Sequence, residues 1–249
     1  MQYLRSVRLR RGEVRSWDEY PFDLPAVRNL DRMELHPDVT FLIGENGSGK
    51  STLLEGIAVR WGFNPEGGPG HLNFETRASH SALSRYLELG RGGRPYDGYF
   101  LRAESFFNVA TRVEEVDAAN HAELPPLGRP LREFYGDRPL HEQSHGESFF
   151  ALLTERFGGG GLYILDEPEA ALSPMRQMAA LVRMRDLVRM KSQFLIATHS
   201  PILMAYPGAR ILLLEEGGIR EVPYEETEHY VVTREFLNNP AGMLRELMS

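Results

Sequence analysis

The stretch Val39-Thr-Phe-Leu-Ile-Gly-Glu-Asn-Gly-Ser-Gly-Lys-Ser-Thr52 joins an apolar, β-branched run to a loop with three glycines, and then to a helical segment from Ser51 to Trp61. Gly44, Gly49, Lys50 and Ser51 satisfy G-x-x-x-x-G-K-[ST] in the strand–loop–helix context the pattern requires. Glycines let successive backbone N–H groups turn toward phosphate oxygens that a Cβ would obstruct. The N-terminus of the following helix adds its dipole and unpaired donors. Gly44, Glu45, Asn46, Gly47, Ser48, Gly49, Lys50, Ser51 and Thr52 are therefore candidate triphosphate-binding residues. Lys50 supplies a mobile charge for the β- and γ-phosphates, and the Ser51 hydroxyl can ligate Mg²⁺. The competing reading is a glycine-rich turn with no ligand.

The bulk composition is that of an ordinary globular protein. A length of 249 residues fits one large α/β domain or a domain with an inserted lobe. The apolar share of 42% is that of a chain able to bury a core. A net charge of −7, with no basic run, argues against a general nucleic-acid-binding surface and leaves room for a local basic groove. The absence of cysteine removes disulfides and thiolate metal sites. The Arg-rich N-terminus shows no signal peptide, and no apolar stretch is long enough to span a bilayer, so the expectation is a soluble, cytoplasmic protein. Only Lys50 and Lys191 are lysine in a chain that otherwise uses arginine, so a slim ammonium has been kept where a side chain must reach between phosphates.

Periodicity and breakers order the remaining elements. Residues 3–10 alternate as a half-exposed strand, with Leu4 slightly out of phase. Residues 17–38 read as loop with a short strand; Tyr20 or Phe22 could stack on a base or serve as a buried anchor. Residues 81–89 predict a short helix capped by Ser79 or Ser81, and 98–103 a strand. A helix over 109–119 and an irregular segment over 121–139 follow, then an apolar helix over 149–157. Ser173-Pro174 caps a helix to about Met190 with Met178, Leu181, Val182 and Val188 at helical spacing. Gln193–Thr198 is a buried strand, Ser200-Pro201 caps a short helix, 210–222 is a hairpin about Glu216-Gly-Gly218, and the chain from Glu225 is mostly helical.

Three further stretches carry chemistry. Leu162-Tyr-Ile-Leu-Asp166-Glu167 places two carboxylates at the end of a buried strand, the edge where open parallel sheets bind ligands. There Asp166 would hold the Mg²⁺ shell and Glu167 would orient and deprotonate the attacking water. Phe194-Leu-Ile-Ala-Thr-His199 ends a second such strand in a histidine able to hydrogen-bond the γ-phosphate. Ser144-His-Gly-Glu147 before a helix is an anion-binding arrangement.

In this order the four pieces resemble the ATP-binding-cassette ATPases, specifically the soluble branch related to chromosome-maintenance and DNA-repair ATPases. Gly44–Thr52 is similar to Walker A, Gln143–Glu147 to the signature motif, Leu162–Glu167 to Walker B with its catalytic glutamate, Ala170–Ser173 to the D-loop and His199 to the switch histidine. End to end the chain also resembles a family of small bacterial ATPases sharing Glu-Gln-Ser-His-Gly-Glu-Ser, Tyr-Ile-Leu-Asp-Glu-Pro-Glu-Ala-Ala-Leu-Ser-Pro and Ala-Thr-His-Ser-Pro-Ile-Leu. The departures are Gln143 and His145 in the signature and Ser173 closing the D-loop, with Glu104 as counterpart of the Q-loop glutamine and a third metal-side oxygen.

The resemblance implies an α/β P-loop NTPase fold: a central, mostly parallel sheet flanked by helices, an N-terminal antiparallel β subdomain and a helical lobe bearing the signature. It implies a single domain over 1–249, with about 95–157 holding the Q-loop-like segment, the helical insert and the signature. Its cofactors are ATP and Mg²⁺, and its catalytic residues Glu167, His199 and Lys50. It further implies an ATP-dependent homodimer in which Ser144, Gly146 and Glu147 reach the nucleotide on the other copy. An unidentified partner protein fits such a switch, nucleic acid stays open, and no direct membrane insertion is expected. Two alternatives are the energising subunit of a membrane transporter and a DNA-repair or chromosome-associated ATPase. The second usually carries a long coiled coil between Walker A and the signature, and the intervening segment here has no heptads.

Overall fold

A computed structural model describes residues 2–69, 82–102 and 150–249. The expected helix over 109–119, the segment 121–139, the caps Ser79 and Ser81, and the site candidates Glu104, Ser144, Gly146 and Glu147 lie outside the described residues.

The strands are β1 (Leu4–Leu9), β2 (Arg32–Glu34), β3 (Val39–Ile43), β4 (Gly68–Pro69), β5 (Leu87–Arg91), β6 (Asp97–Arg102), β7 (Gly161–Asp166), β8 (Gln193–Ala197), β9 (Arg210–Glu215) and β10 (Gly218–Glu221). The helices are α1 (Pro25–Arg28), α2 (Lys50–Trp61), α3 (Pro174–Arg189), α4 (Pro201–Met204), α5 (Glu228–Asn238) and α6 (Pro240–Leu247). Seven strands form one sheet in the order β10-β9-β3-β8-β7-β6-β4. The five inner strands run parallel, and the β10 and β4 edges are antiparallel.

Both faces of this sheet are covered, which is why β3, β7 and β8 read as unbroken apolar runs rather than alternating ones. Alternate side chains feed two cores. Phe41, Tyr163, Leu165, Phe194 and Ile196 pack with Ala180, Met184 and Leu187 of α3. Leu42, Ile164, Leu195 and Ala197 pack with Leu53, Leu54, Ile57 and Ala58 of α2 and with a second sheet, β2-β1-β5. That second sheet is antiparallel and built from the N-terminal strands and β5, as the expected β subdomain requires. Gln193 joins the two sheets. Its Oε1 accepts from the Tyr3 and Leu4 N–H groups at 3.0 and 2.9 Å, and its Nε2 donates to the Leu4 and His36 carbonyls at 2.8 Å each.

Several expectations change. Residues 87–91 are a strand, not the end of a helix; a single 3₁₀ turn, Ala82–Tyr86, precedes it. Leu87 and Leu89 pair opposite Leu9 and Val7, so the neighbouring strand overrides local helical preference. The phase break at Leu4 is a register shift between Leu4 and Ser6. A four-residue helix, α1, stands within the stretch read as loop and strand. The helix from Ser173 is present, and its Ser173 cap accepts from the Arg176 N–H. Its buried face is Gln177, Ala180, Met184 and Leu187, however, while Met178 and Val182 are exposed. Leu181 and Val188, at the same helical spacing, pack against the core from its edge. Residues 152–156 take a π-helical turn before Phe157, whose ring stacks on Tyr163 at 4.1 Å between centroids.

Candidate functional site

The site forms where β3, β8 and β7 end. Three glycines of the loop after β3 hold positive φ: Gly44 (+147°), Gly47 (+81°) and Gly49 (+97°). At Gly44 a Cβ would stand 2.4 Å from the Leu214 carbonyl oxygen, so the loop passes β9 too closely for any side chain. α1 backs the loop, with the Ala26 N–H donating to the Ser48 carbonyl. Lys50 is buried, and its Nζ donates to the Gly44 and Glu45 carbonyls at 2.8 and 2.9 Å. Burial pushes the Lys50 ammonium below its usual range, and the Glu167, Asp166 and Glu169 carboxylates oppose that shift.

β8 lies between β3 and β7, so loop and carboxylates meet across one strand tip. Ser51 on the first turn of α2 donates to Asp166 Oδ1 at 3.0 Å. Glu167 follows in a left-handed conformation (φ 48°), unusual for a residue with a Cβ and costing about 1 kcal/mol or more. Its N–H is held by the Ala197 carbonyl at 2.9 Å, which fixes the turn that swings its side chain toward β8. His199 Nε2 stands 3.7 Å from Glu167 Oε1. The structure brings the expected residues Lys50, Ser51, Asp166, Glu167 and His199 together at one sheet edge.

Three groups here went unread in the sequence. Glu169 accepts from the His199 N–H at 2.6 Å. Its pKa is raised, chiefly by burial and against the pull of that hydrogen bond. His229, on the first turn of α5, brings its Nε2 to 3.0 Å from His199 Nδ1. Thr227 caps that helix by accepting from the Tyr230 N–H. Glu169 carried a signal, as a third carboxylate in the run after β7. His229 carried none, because only the return of α5 to the sheet edge brings it near. Burial lowers the pKa of both imidazoles; Lys50 adds to the effect on His199, and His199 adds to that on His229.

A cavity of about 900 Å³ opens between the phosphate loop, the β9–β10 turn and the start of α5. The two aromatics upstream separate. Phe22 is buried edge-on against Trp17 and Tyr86. Tyr20 is 63% exposed, with its hydroxyl 3.3 Å from Thr52 Oγ1 at the head of α2.

Residues 87–205 match the family described as "AAA domain, putative AbiEii toxin, Type IV TA system". The chain is 26% identical over 200 residues to the macrolide export ATP-binding/permease protein MacB of Marinobacter nauticus, covering 76% of this chain but only 30% of that one. It is 29% identical to the hemin import ATP-binding protein HmuV of Pseudomonas fluorescens, over 77% of this chain and 78% of the relative. It is 27% identical to the lipoprotein-releasing system ATP-binding protein LolD 2 of Caulobacter vibrioides, over 83% and 93%. An ATP-binding cassette of an ABC transporter superposes with a TM-score of 0.53 at 18% identity, covering 96% of this chain and 98% of the other, and shares the fold. The relatives are ATP-binding proteins of transport systems, and the chain shares the fold of an ATP-binding cassette.

Proposed function

We propose that the chain couples Mg²⁺-dependent ATP hydrolysis to a nucleotide-dependent conformational switch, with ATP held between two copies. The observation that carries the site assignment is the Ser51–Asp166 bond at 3.0 Å, which joins the phosphate-loop helix to the strand bearing Glu167. In this reading the loop N–H groups and Lys50 bind the β- and γ-phosphates, Lys50 exchanging its two carbonyl partners for phosphate oxygens. Glu167 orients the attacking water and takes its proton, and His199 donates toward the γ-phosphate. The Ser51 hydroxyl and Asp166 carboxylate are adjacent hard oxygens and suit Mg²⁺. Bound there, Mg²⁺ would neutralise charge on the phosphates. Tyr20, exposed beside the head of α2, is placed to stack on the base. Ser144, Gly146 and Glu147 of one copy would complete the site of the other, and Glu104 would add a metal-side oxygen.

The test is Glu167→Gln. It should bind ATP, turn over about 10² to 10⁴-fold more slowly, and accumulate as a dimer with Mg-ATP by light scattering. Turnover at the wild-type rate would remove Glu167 from the mechanism, and a monomer under those conditions would remove the dimer.

A second reading, the ATP-binding subunit of a transporter, is favoured by the names of the relatives. No described helix is long and apolar enough to cross a membrane, so in this reading the membrane-spanning part lies outside the described residues. Co-purification with an integral membrane protein in stoichiometric amount would select that reading.

A further inference from the structure

No side chain of α5 is fully buried. Its start is nevertheless anchored. Thr227 is 2% exposed, and its hydroxyl donates to the Tyr224 carbonyl while accepting from the Tyr230 N–H. What this anchoring places is His229, the second residue of the helix, whose ring lies 5.2 Å from that of His199.

Two imidazole nitrogens 3.0 Å apart share one proton between them, and two arrangements are possible. If His199 donates from Nδ1, its Nε2 turns a lone pair toward the Glu167 carboxylate 3.7 Å away, and acceptor faces acceptor. If His229 donates from its Nε2, His199 keeps its proton on Nε2, where it points at Glu167. The field of the carboxylate selects the second arrangement. His199 Nε2 is buried and has no hydrogen-bond partner among the described residues, so this N–H is held ready for an incoming acceptor. The main-chain N–H of His199 is separately tied to Glu169, which leaves ring orientation to the Nδ1 contact. Burial also disfavours the charged form of both rings.

We infer that His229 is a positioning residue for ATP hydrolysis: it donates from Nε2 to His199 Nδ1 and so fixes the His199 tautomer that presents an N–H to the γ-phosphate beside Glu167. The inference rests on the proposed role of His199 and adds the residue that sets its polarity.

The test replaces His229 with Gln, whose amide can donate, with Ala, which can do neither, and with Glu, whose carboxylate accepts only. In the full chain with Mg-ATP, His229→Gln should stay within about threefold of wild-type kcat, while His229→Ala should lose about tenfold in kcat with KM nearly unchanged. His229→Glu should lose at least as much as His229→Ala, because it draws the His199 proton onto Nδ1. Nitrogen-15 spectra of histidine-labelled protein without nucleotide should show the His199 proton on Nε2 in the wild type and on Nδ1 in His229→Glu. Equal losses in all three variants, or a wild-type His199 protonated on Nδ1, would overturn the inference, and the wild-type spectrum decides even if a variant does not fold. His199→Ala separates the two layers. Wild-type turnover in that variant rejects the role of His199 itself, whereas collapse there with no Gln–Glu difference at position 229 rejects the His229 inference alone.

Discussion

Replacing Gln193 by Met tests how the two sheets are held together. The side chain is 2% exposed and similar in length to Met, so the change removes hydrogen bonding with little change in volume. Four bonds of 2.8 to 3.0 Å disappear. The Leu4 carbonyl keeps the Gln2 amide at 3.3 Å, but the Tyr3 and Leu4 N–H groups lose their partner on residues 1% and 0% exposed. At about 1 kcal/mol net per bond, rising where a buried donor is orphaned, the loss comes to about 4 kcal/mol. That is a large part of the roughly 5–15 kcal/mol by which such domains are stable, and it should lower Tm by about 10 °C. Urea unfolding followed by the fluorescence of Trp17 and Trp61 measures it. A loss under about 1 kcal/mol would refute the reasoning, because it would mean that apolar contact between the sheets, not this amide, sets their register.

Three other outcomes follow from the same structure. Gly44→Ala forces a Cβ onto the Leu214 carbonyl at φ +147° and should cost at least about 2 kcal/mol while weakening ATP binding severely, read by calorimetry. His199 and His229 have folded-state pKa values below the usual 6.5, so the unfolded chain takes up their protons first as pH falls. The stability they contribute is therefore present above about pH 6.5 and lost as pH drops through the folded values, and a His199→Gln/His229→Gln double variant should show a flatter fall in Tm between about pH 7.5 and pH 5. Met178→Ala should change stability by less than about 0.5 kcal/mol and Met184→Ala should cost about 3 kcal/mol, since Met178 is 46% exposed and Met184 2%.

The parts legible in the sequence were those whose chemistry is local. The loop from Gly44 to Ser51 demands glycines, a lysine and a hydroxyl within a few residues, and a strand buried on both faces must be apolar throughout; both constraints are written in consecutive positions. Ser173-Pro174 marked its helix start for the same reason, because the cap bond spans three residues. The helical spacing on α3 shows that an apolar stripe exists without showing what each member faces: Leu181 and Val188 pack on the core, while Met178 and Val182 face solvent.

By itself, then, the sequence determined the glycine-rich loop ending in Lys50, the carboxylate pair at the end of β7 and the histidine after β8, since each is specified by neighbours along the chain. Tertiary structure alone decided that residues 87–91 pair with β1, that Gln193 joins the two sheets, and that His229 meets His199. Those contacts link positions 30 to 190 residues apart, and their energy depends on distances in space that no local pattern records.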